Sequence, residues 1–225
     1  MPNLPSSRRA FGTPSKSNVS RLMSRILVLI ALACLASPAA AQSDGSQFTI
    51  MAGFKLGKLT LGQITKSLGP SKLIESGDGG EYEAKICYRA PTGLVHFLSG
   101  EMGGPDHTLV GFGVSIDDET QPCPIFPTDH VPKTLNLAGL RLGQSRAEFS
   151  RAVKQKIEWG GNIGRAFFES KRPMTPTELD KLYPGAKAAT LARQEQNYFD
   201  VGVSVIGTFS GDKMIGFKVW KVETF

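Results

Sequence analysis

The side chains best suited to metal binding or nucleophilic catalysis are scarce in this chain of 225 residues, which holds three histidines and three cysteines. A zinc site needs such ligands at short, regular spacings on a helix or loop. His96, His107 and His130 show no such spacing. The glycine-rich stretches at residues 77–80 and 160–164 do not match a phosphate-binding loop either. We therefore predict no catalytic residues, no metal site and no cofactor.

Cys87 and Cys123 are the cysteines that remain when the first 41 residues, which hold Cys34, are set aside as an export signal. An even pair of cysteines in an exported protein forms a disulfide by default, because the compartment is oxidising. A reactive thiol would need a histidine or a cation as its partner, and the sequence indicates none. We predict a disulfide between Cys87 and Cys123, whose loop closure contributes about 3 to 4 kcal/mol to stability.

The first 41 residues predict a cleavable signal peptide. They contain five basic residues and no acidic residue, followed by an apolar run at residues 26–36 and small residues that end at Ala41. This run is shorter than the roughly 20 residues that span a bilayer, so we expect no transmembrane helix after cleavage. The leucine of a lipoprotein signal is missing three positions before Cys34, which argues against a lipid anchor. We predict Sec export to the periplasm or the medium, with Met23 as an alternative start.

Most of the net positive charge of the chain lies in the predicted signal peptide. The whole sequence has a formal net charge of +6, with 26 basic and 20 acidic residues. Without the five basic residues of the signal, the chain has 21 basic and 20 acidic residues. A chain so close to neutrality lacks the basic surface that binds nucleic acid, so we do not expect a nucleic-acid partner.

Residues 56–70 predict a short helix with a defined start and stop. Thr60 and Gln63 have the spacing of a capping box, in which each side chain bonds the backbone N–H of the other residue. Gly69 and Pro70 then end the helix. A second helix of the same design begins at Ser145, with Glu148 and Phe149 in the positions of Gln63 and Ile64. A third begins after Thr175, with proline at its first position.

The remaining segments predict antiparallel strands. Residues 81–88 alternate between polar and apolar side chains, as in a sheet with one buried face. Residues 93–99 and 109–116 follow as two more strands. The last of them contains VGFGV at residues 110–114, which is echoed by IGFKV at residues 215–219. This echo indicates an internal repeat.

These patterns together predict an α+β protein of two tandem units, each a short helix packed on an antiparallel sheet of three to four strands. After a disordered start at residues 42–47, the first unit spans residues 48–116. A Pro-rich linker follows at residues 117–134, and the second unit spans residues 135–225. An insertion at about residues 170–196 distinguishes the second unit from the first, and residues 186–194 could form a further helix.

The helix motif resembles the SmpA/OmlA family of outer-membrane assembly lipoproteins, and two such units in tandem resemble the architecture of the β-lactamase inhibitory proteins. The motif positions are Gly57, Thr60, Gln63, Ile64, Leu68, Gly69 and Pro70, and then Gly143, Ser145, Glu148 and Phe149. The second helix departs from the pattern, because residues 153–155 (VKQ) replace the Leu-Gly-Pro stop. The resemblance implies a helix followed by three antiparallel strands, and it assigns no contact residues.

Aromatic and basic residues in and beside the insertion are the candidates for partner binding, because protein interfaces favour aromatic side chains and arginine. Alternatively, the aromatic candidates cover the edge of the hydrophobic core. The candidates are Trp159, Lys171, Arg172, Met174 and Tyr183.

The sequence thus predicts an exported, non-catalytic protein-binding or scaffold protein of the cell envelope, with another envelope or secreted protein as its partner. The alternative is a periplasmic small-molecule binder or enzyme with a pocket between the two sheets. That pocket would be lined by Phe97, Phe112, Phe167 and Phe217.

Overall fold

A computed structural model describes residues 43–116, 122–127, 135–184 and 197–225. The predicted signal peptide with Cys34, most of the predicted linker with His130, and residues 185–196 of the insertion lie outside these ranges. Within them, no helix combines the length and the apolar composition needed to cross a bilayer.

Three helices begin at the capping boxes expected from the sequence: α1 (Leu61–Leu68), α2 (Arg146–Val153) and α3 (Pro176–Leu182). In each, the hydroxyl of the N-cap residue accepts from the N–H three residues later, and that residue's side chain bonds the N-cap N–H. The helices end differently. Gly69 follows α1 with φ 94°, whereas Lys154 takes the left-handed conformation after α2 and donates its N–H to the Ser150 carbonyl.

The strands belong to two sheets. The small one pairs β1 (Ile50–Met51) with β2 (Phe54–Lys55). The large one has eight strands: β3 (Ile74–Ser76), β4 (Glu83–Ala90), β5 (Gly93–Gly100), β6 (Gly111–Ser115), β7 (Glu158–Gly160), β8 (Ile163–Pro173), β9 (Tyr198–Ser210) and β10 (Lys213–Thr224). Their order is β3-β4-β5-β6-β10-β9-β8-β7, and every neighbouring pair is antiparallel. The α+β class and the antiparallel sheet agree with the sequence prediction.

The strands expected to form separate sheets are continuous in the structure, because β6 pairs with β10. Their register places Phe112 opposite Val219 and Val114 opposite Phe217. All four side chains are buried, so the pairing extends one hydrophobic face across the junction. It also satisfies backbone groups that would otherwise form two exposed sheet edges.

One face of the large sheet, which we call the core face, packs against the helices. Helix α1 lies against β5 and α2 against β9. The strands contribute a row of buried side chains from β4 to β8: Ile86, Phe97, Phe112, Val219, Val205 and Ala166. The helices contribute Leu61, Ile64, Leu68, Phe149 and Val153. The N-terminal turn at Ser46–Phe48, which includes residues of the predicted disordered start, adds the buried Phe48.

The four phenylalanines expected to line a pocket do not come together. Phe97, Phe112 and Phe217 are buried in the core, and the Phe97 and Phe112 rings meet edge to face at 6.1 Å. Phe167 lies on the opposite face of the sheet and is 54% exposed. The difference follows from the two-residue period of strands, since Phe167 and the buried Phe168 must point to opposite faces.

The predicted disulfide between Cys87 and Cys123 is present, with the two Cα atoms 5.3 Å apart. It holds residues 122–127 beside β4. There the backbone of Arg89 bonds both Pro124, at 2.7 Å, and Phe126, at 2.8 Å. The Phe126 ring is buried against Tyr88, at 5.6 Å between centroids. This segment therefore extends the edge of the sheet beyond the end of β3.

Candidate functional site

The candidate site lies on the second face of the large sheet, the outer face, whose residues alternate with those of the core face. Exposed, half-buried and buried side chains of both polarities lie on it. Strand by strand from β4 to β8, one row consists of Cys87, His96, Gly113, Lys218, Ile206 and Arg165. The next row consists of Lys85, Leu98, Gly111, Trp220, Ser204 and Phe167.

A depression of about 650 Å³ lies near the middle of the outer face. Its floor includes Gly113, Ser115 and Gly216, on the adjacent strands β6 and β10. Because glycine has no side chain, the surface of the sheet is recessed where β6 and β10 meet. The flanking strands carry larger residues. The apolar part of the wall comes from Leu98, Ile206, Ile215 and Ile116.

Three charged residues lie at the side of this depression. Glu83 on β4 accepts a hydrogen bond from Lys218 on β10 at 2.8 Å, and its other oxygen is 3.7 Å from Lys85 Nζ. One carboxylate is thus shared by two ammonium groups. The cluster carries one net positive charge, which favours an acidic group on any molecule that enters the depression.

His96 contributes a buried imidazole to the same depression. Its residue exposure is 8%, and its Nε2 lies 3.1 Å from Ser115 Oγ. Burial, together with the smaller effect of the positive charges of Lys85 and Lys218, lowers the pKa of His96 to about 4. The ring is therefore neutral at pH 7. Among the described residues, its Nδ1 atom has no hydrogen-bond partner.

The Ser115–His96 pair has the composition of a nucleophile and a base, but the described residues do not give His96 the usual environment of a general base. A catalytic histidine needs a pKa near the working pH and a third group that orients its second nitrogen. His96 has a pKa of about 4, and its Nδ1 lacks an orienting partner in the described ranges. Gly113 explains why the ring lies here, because a Cβ at that position would be 3.3 Å from His96 Cβ.

The predicted candidate Trp159 is part of the core margin. Its ring packs on Phe149, at 6.1 Å, and on Phe209, at 5.4 Å between centroids. The guanidinium of Arg146 lies 4.8 Å from the Trp159 ring centroid, in cation–π geometry. The indole is still 41% exposed.

Arg172 lies at the centre of an ion-pair network. It forms two hydrogen bonds with Glu178 of α3, at 2.8 and 2.9 Å, and reaches Glu223 of β10 at 2.6 Å. Its hydrogen bonds lower the pKa of Glu178 to about 2, together with the bond from the Thr175 N–H. Burial opposes ionisation of Glu223, but the bonds from Arg172 and Lys221 outweigh it, so its pKa is also lowered. Arg172 therefore anchors α3 to the sheet.

The other predicted candidates, Met174, Tyr183 and Lys171, do not lie on the same face of the large sheet. Met174 is buried against Leu179, in a small cluster with Tyr183 and Phe199, and the Arg172 guanidinium lies 4.7 Å from the Phe199 ring centroid. Lys171 is on the outer face instead, with its side chain 70% exposed and 4.0 Å from Asp200. The structure thus brings Arg172, Met174 and Tyr183 together and separates them from Lys171 and Trp159.

Apart from His96 and Phe217, the residues of the depression were not singled out by the sequence. Glu83 and Lys85 occupy the polar positions of an alternating strand, and Lys218 interrupts the second copy of the echoed strand. The sequence therefore shows that these three residues are charged and lie on strands, but not that they lie close together. Their proximity depends on the β6–β10 pairing, which connects segments about a hundred residues apart.

The chain matches no protein-family model, no curated protein and no solved structure in the comparisons made. Within the described ranges, no three histidine, cysteine, aspartate or glutamate residues come together as a metal site would require. The function must therefore be argued from the geometry of the outer face.

Proposed function

We propose that this chain is an exported, non-catalytic protein-binding protein of the cell envelope, built from two tandem units, and that the outer face of its joined sheet is the binding surface. The observation that carries the proposal is the depression at the β6–β10 junction. It combines a low floor of small residues, apolar walls and one net positive charge.

The register at the junction supports two tandem units. The echo equates Phe112 with Phe217 and Val114 with Val219. Phe112 pairs with Val219, and Val114 pairs with Phe217, so each pairing is the counterpart of the other. The strand order is mirrored about this junction as well. Two copies of one unit related by an approximate two-fold axis would produce this reciprocal pairing.

The breadth and composition of the outer face favour a protein as the partner. Small ligands bind in clefts that enclose most of their surface. Here the depression opens onto a wider face that carries aromatic residues, including Phe167 and the half-buried Trp220, among charges of both signs. Aromatic anchors within a polar surround are typical of protein interfaces. We expect the partner to place an acidic side chain beside Lys218.

Photocrosslinking in the producing cell tests the proposal. A photoreactive amino acid at Thr208, on the outer face, is compared with one at Arg151, on the exposed side of α2. We expect one partner protein to be crosslinked from Thr208 and not from Arg151. Purified partner should then bind the wild-type protein and lose at least about tenfold in affinity with Lys218→Glu. Equal crosslinking from both positions would exclude the outer face.

A small-molecule ligand is the second candidate, and the volume of the depression favours it, since 650 Å³ lies within the usual range for such sites. The ligand would be an amphipathic anion, with its apolar part against Ile206 and its charge near Lys218. Native mass spectrometry of the protein purified from its own cells distinguishes the two functions. A bound small molecule that Lys218→Glu removes would support the second candidate over the first.

A further inference from the structure

Strand β8 is longer than the strand beside it at the edge of the sheet. It runs from Ile163 to Pro173, but β7 pairs only with its first three residues, Ile163 to Arg165. Among the described residues, no strand lies beside the rest of β8 on that side. An unpaired edge of this kind is a template for strand addition.

The hydrogen-bond pattern identifies which backbone groups face the open edge. Asn162 and Met174, which flank β8, direct backbone groups toward Phe209 and Asn197 on the β9 side. Bonding direction alternates along an antiparallel strand, so even-numbered residues of β8 face β9 and odd-numbered residues face outward. The outward carbonyl of Phe167 lies 3.5 Å from Gln155 Nε2. Pro173 has no N–H. Within the described ranges, Glu169 and Lys171 are the outward-facing positions at which both the N–H and the C=O remain available.

The backbone groups and side-chain charges of Glu169 and Lys171 can pair with the same groups of a second copy of β8. In an antiparallel pairing of two β8 strands centred on Ser170, Glu169 of each copy lies opposite Lys171 of the other. All four outward groups then form hydrogen bonds. Side chains of Glu169 and Lys171 both project from the outer face, so the pairing also creates two interchain ion pairs.

Neighbouring registers satisfy neither requirement. Centring the pairing on Glu169 brings two carboxylates together and directs Lys171 toward Phe167, whose carbonyl Gln155 already contacts. Centring it on Lys171 brings two ammonium groups together and directs Glu169 toward Pro173, which cannot donate. Like charges directly opposite each other are destabilising. The backbone hydrogen bonds and the side-chain charges therefore both favour the register centred on Ser170.

We propose that a second copy of this chain binds along the β8 edge, in the register centred on Ser170, and makes one continuous sheet through both copies. This inference does not depend on the proposed function of the outer face. The contact is limited to one short ladder, so the dimer is weak and forms at micromolar or higher concentrations.

Sedimentation equilibrium on the purified protein, from about 5 to 500 µM, tests the proposal by charge exchange. We expect a reversible dimer in the wild type. Glu169→Lys and Lys171→Glu each create like-charge contacts and should raise the dissociation constant at least about tenfold. The double variant restores opposite charges and should return it to within about threefold of the wild type. Lys58→Glu, an equal charge change at an exposed residue far along the chain, should have no effect.

Three outcomes would overturn the proposal: a wild type that stays monomeric throughout, single variants that dimerise as the wild type does, or a double variant no better than either single one. A cysteine at Ser170 gives an independent measurement. The two copies of this residue would lie about 4.5 Å apart across the axis, within disulfide range. We expect an interchain disulfide with Ser170→Cys and not with the exposed control Ser210→Cys. Equal yields from the two would also contradict the proposed pairing.

Discussion

Trp220 lies across Gly111, its partner on the neighbouring strand of the outer face. A Cβ atom at Gly111 would be 3.0 Å from two carbons of the indole ring and 2.9 Å from the Val219 carbonyl oxygen. The indole therefore occupies the space that a side chain at position 111 would need. Trp220 thereby covers Gly111 on the outer face, in the row next to that of Lys218.

Gly111→Ala should destabilise the protein by about 1 to 3 kcal/mol, because the added methyl group meets a backbone carbonyl that cannot move away. Urea unfolding measures the change. Gly160→Ala is the matched control, since the nearest atom to its Cβ would be the flexible end of Arg165 at 3.8 Å. We expect the control to stay within about 0.5 kcal/mol of the wild type. Equal losses in the two variants would contradict the crowding at Gly111.

Replacing both cysteines by serine should cost about 3 to 4 kcal/mol, because the disulfide closes a loop of 36 residues in the unfolded chain. The double variant avoids a free thiol, and urea unfolding of both proteins gives the difference. Adding a reductant to the wild type should produce a similar loss and should leave the double variant unchanged. If the reductant affects both proteins equally, the loss does not come from the disulfide.

The stability of the protein should fall as the pH decreases from about 6.5 toward 4, because of His96. Its pKa is lowered to about 4 in the folded protein, so the unfolded chain binds a proton that the folded one does not in this window. The contribution is complete above pH 6.5, and its loss on acidification should reach about 1 to 3 kcal/mol.

Urea unfolding at pH 7 and pH 5 tests this dependence of stability on pH. His96→Gln removes the titrating group and should flatten the difference between the two conditions. The carboxylates with lowered pKa values, such as Glu178 and Glu148, change protonation below their usual value of 4.5 and contribute little here. A histidine NMR signal that titrates near pH 6.5 in the folded wild type, assigned to His96, would contradict its burial.

Arg172→Met should destabilise the protein by about 1 kcal/mol at pH 7, a value discounted for the partial exposure of the network. The variant should also raise the pKa of Glu178 toward its usual value, because its largest stabilising hydrogen bonds are lost. In the wild type this carboxylate contributes stability above pH 4.5 that is lost as the pH falls toward 2. Arg172→Met should therefore differ least from the wild type at low pH.

Thermal unfolding at pH 7 and pH 2.5 measures the difference between Arg172→Met and the wild type. Lys181→Met is the control, since this exposed lysine of α3 carries the same charge outside the network. A loss that is the same at both pH values would mean that packing of Arg172 on Phe199, and not its ion pairs, holds α3.

Local features were predictable from the sequence wherever neighbouring residues determine them. The capping boxes at Thr60, Ser145 and Thr175 need a partner three residues away, so the sequence contains the whole motif. The cysteine pair was predictable because few alternatives existed. The alternation of the strand that became β4 likewise identified its buried face.

Long-range pairing and side-chain partners were not accessible in the same way. Nothing near Phe112 specifies that Val219 will lie opposite it. Phe167 and Phe168 differ in burial because of strand register, which composition does not reveal. Arg172 looked like a residue for partner binding, but Glu223, 51 positions away, engages it within the fold.

The position of β10 has a consequence for how the chain is made. It follows every other described strand in the sequence, yet it lies between β6 and β9 in the middle of the sheet. A ribosome releases residues in order, so β6 and β9 lack their shared neighbour until β10 has been synthesised. The two halves of the sheet therefore cannot join earlier than that. Deletion of β10 would separate the sheet at its centre and not at its margin.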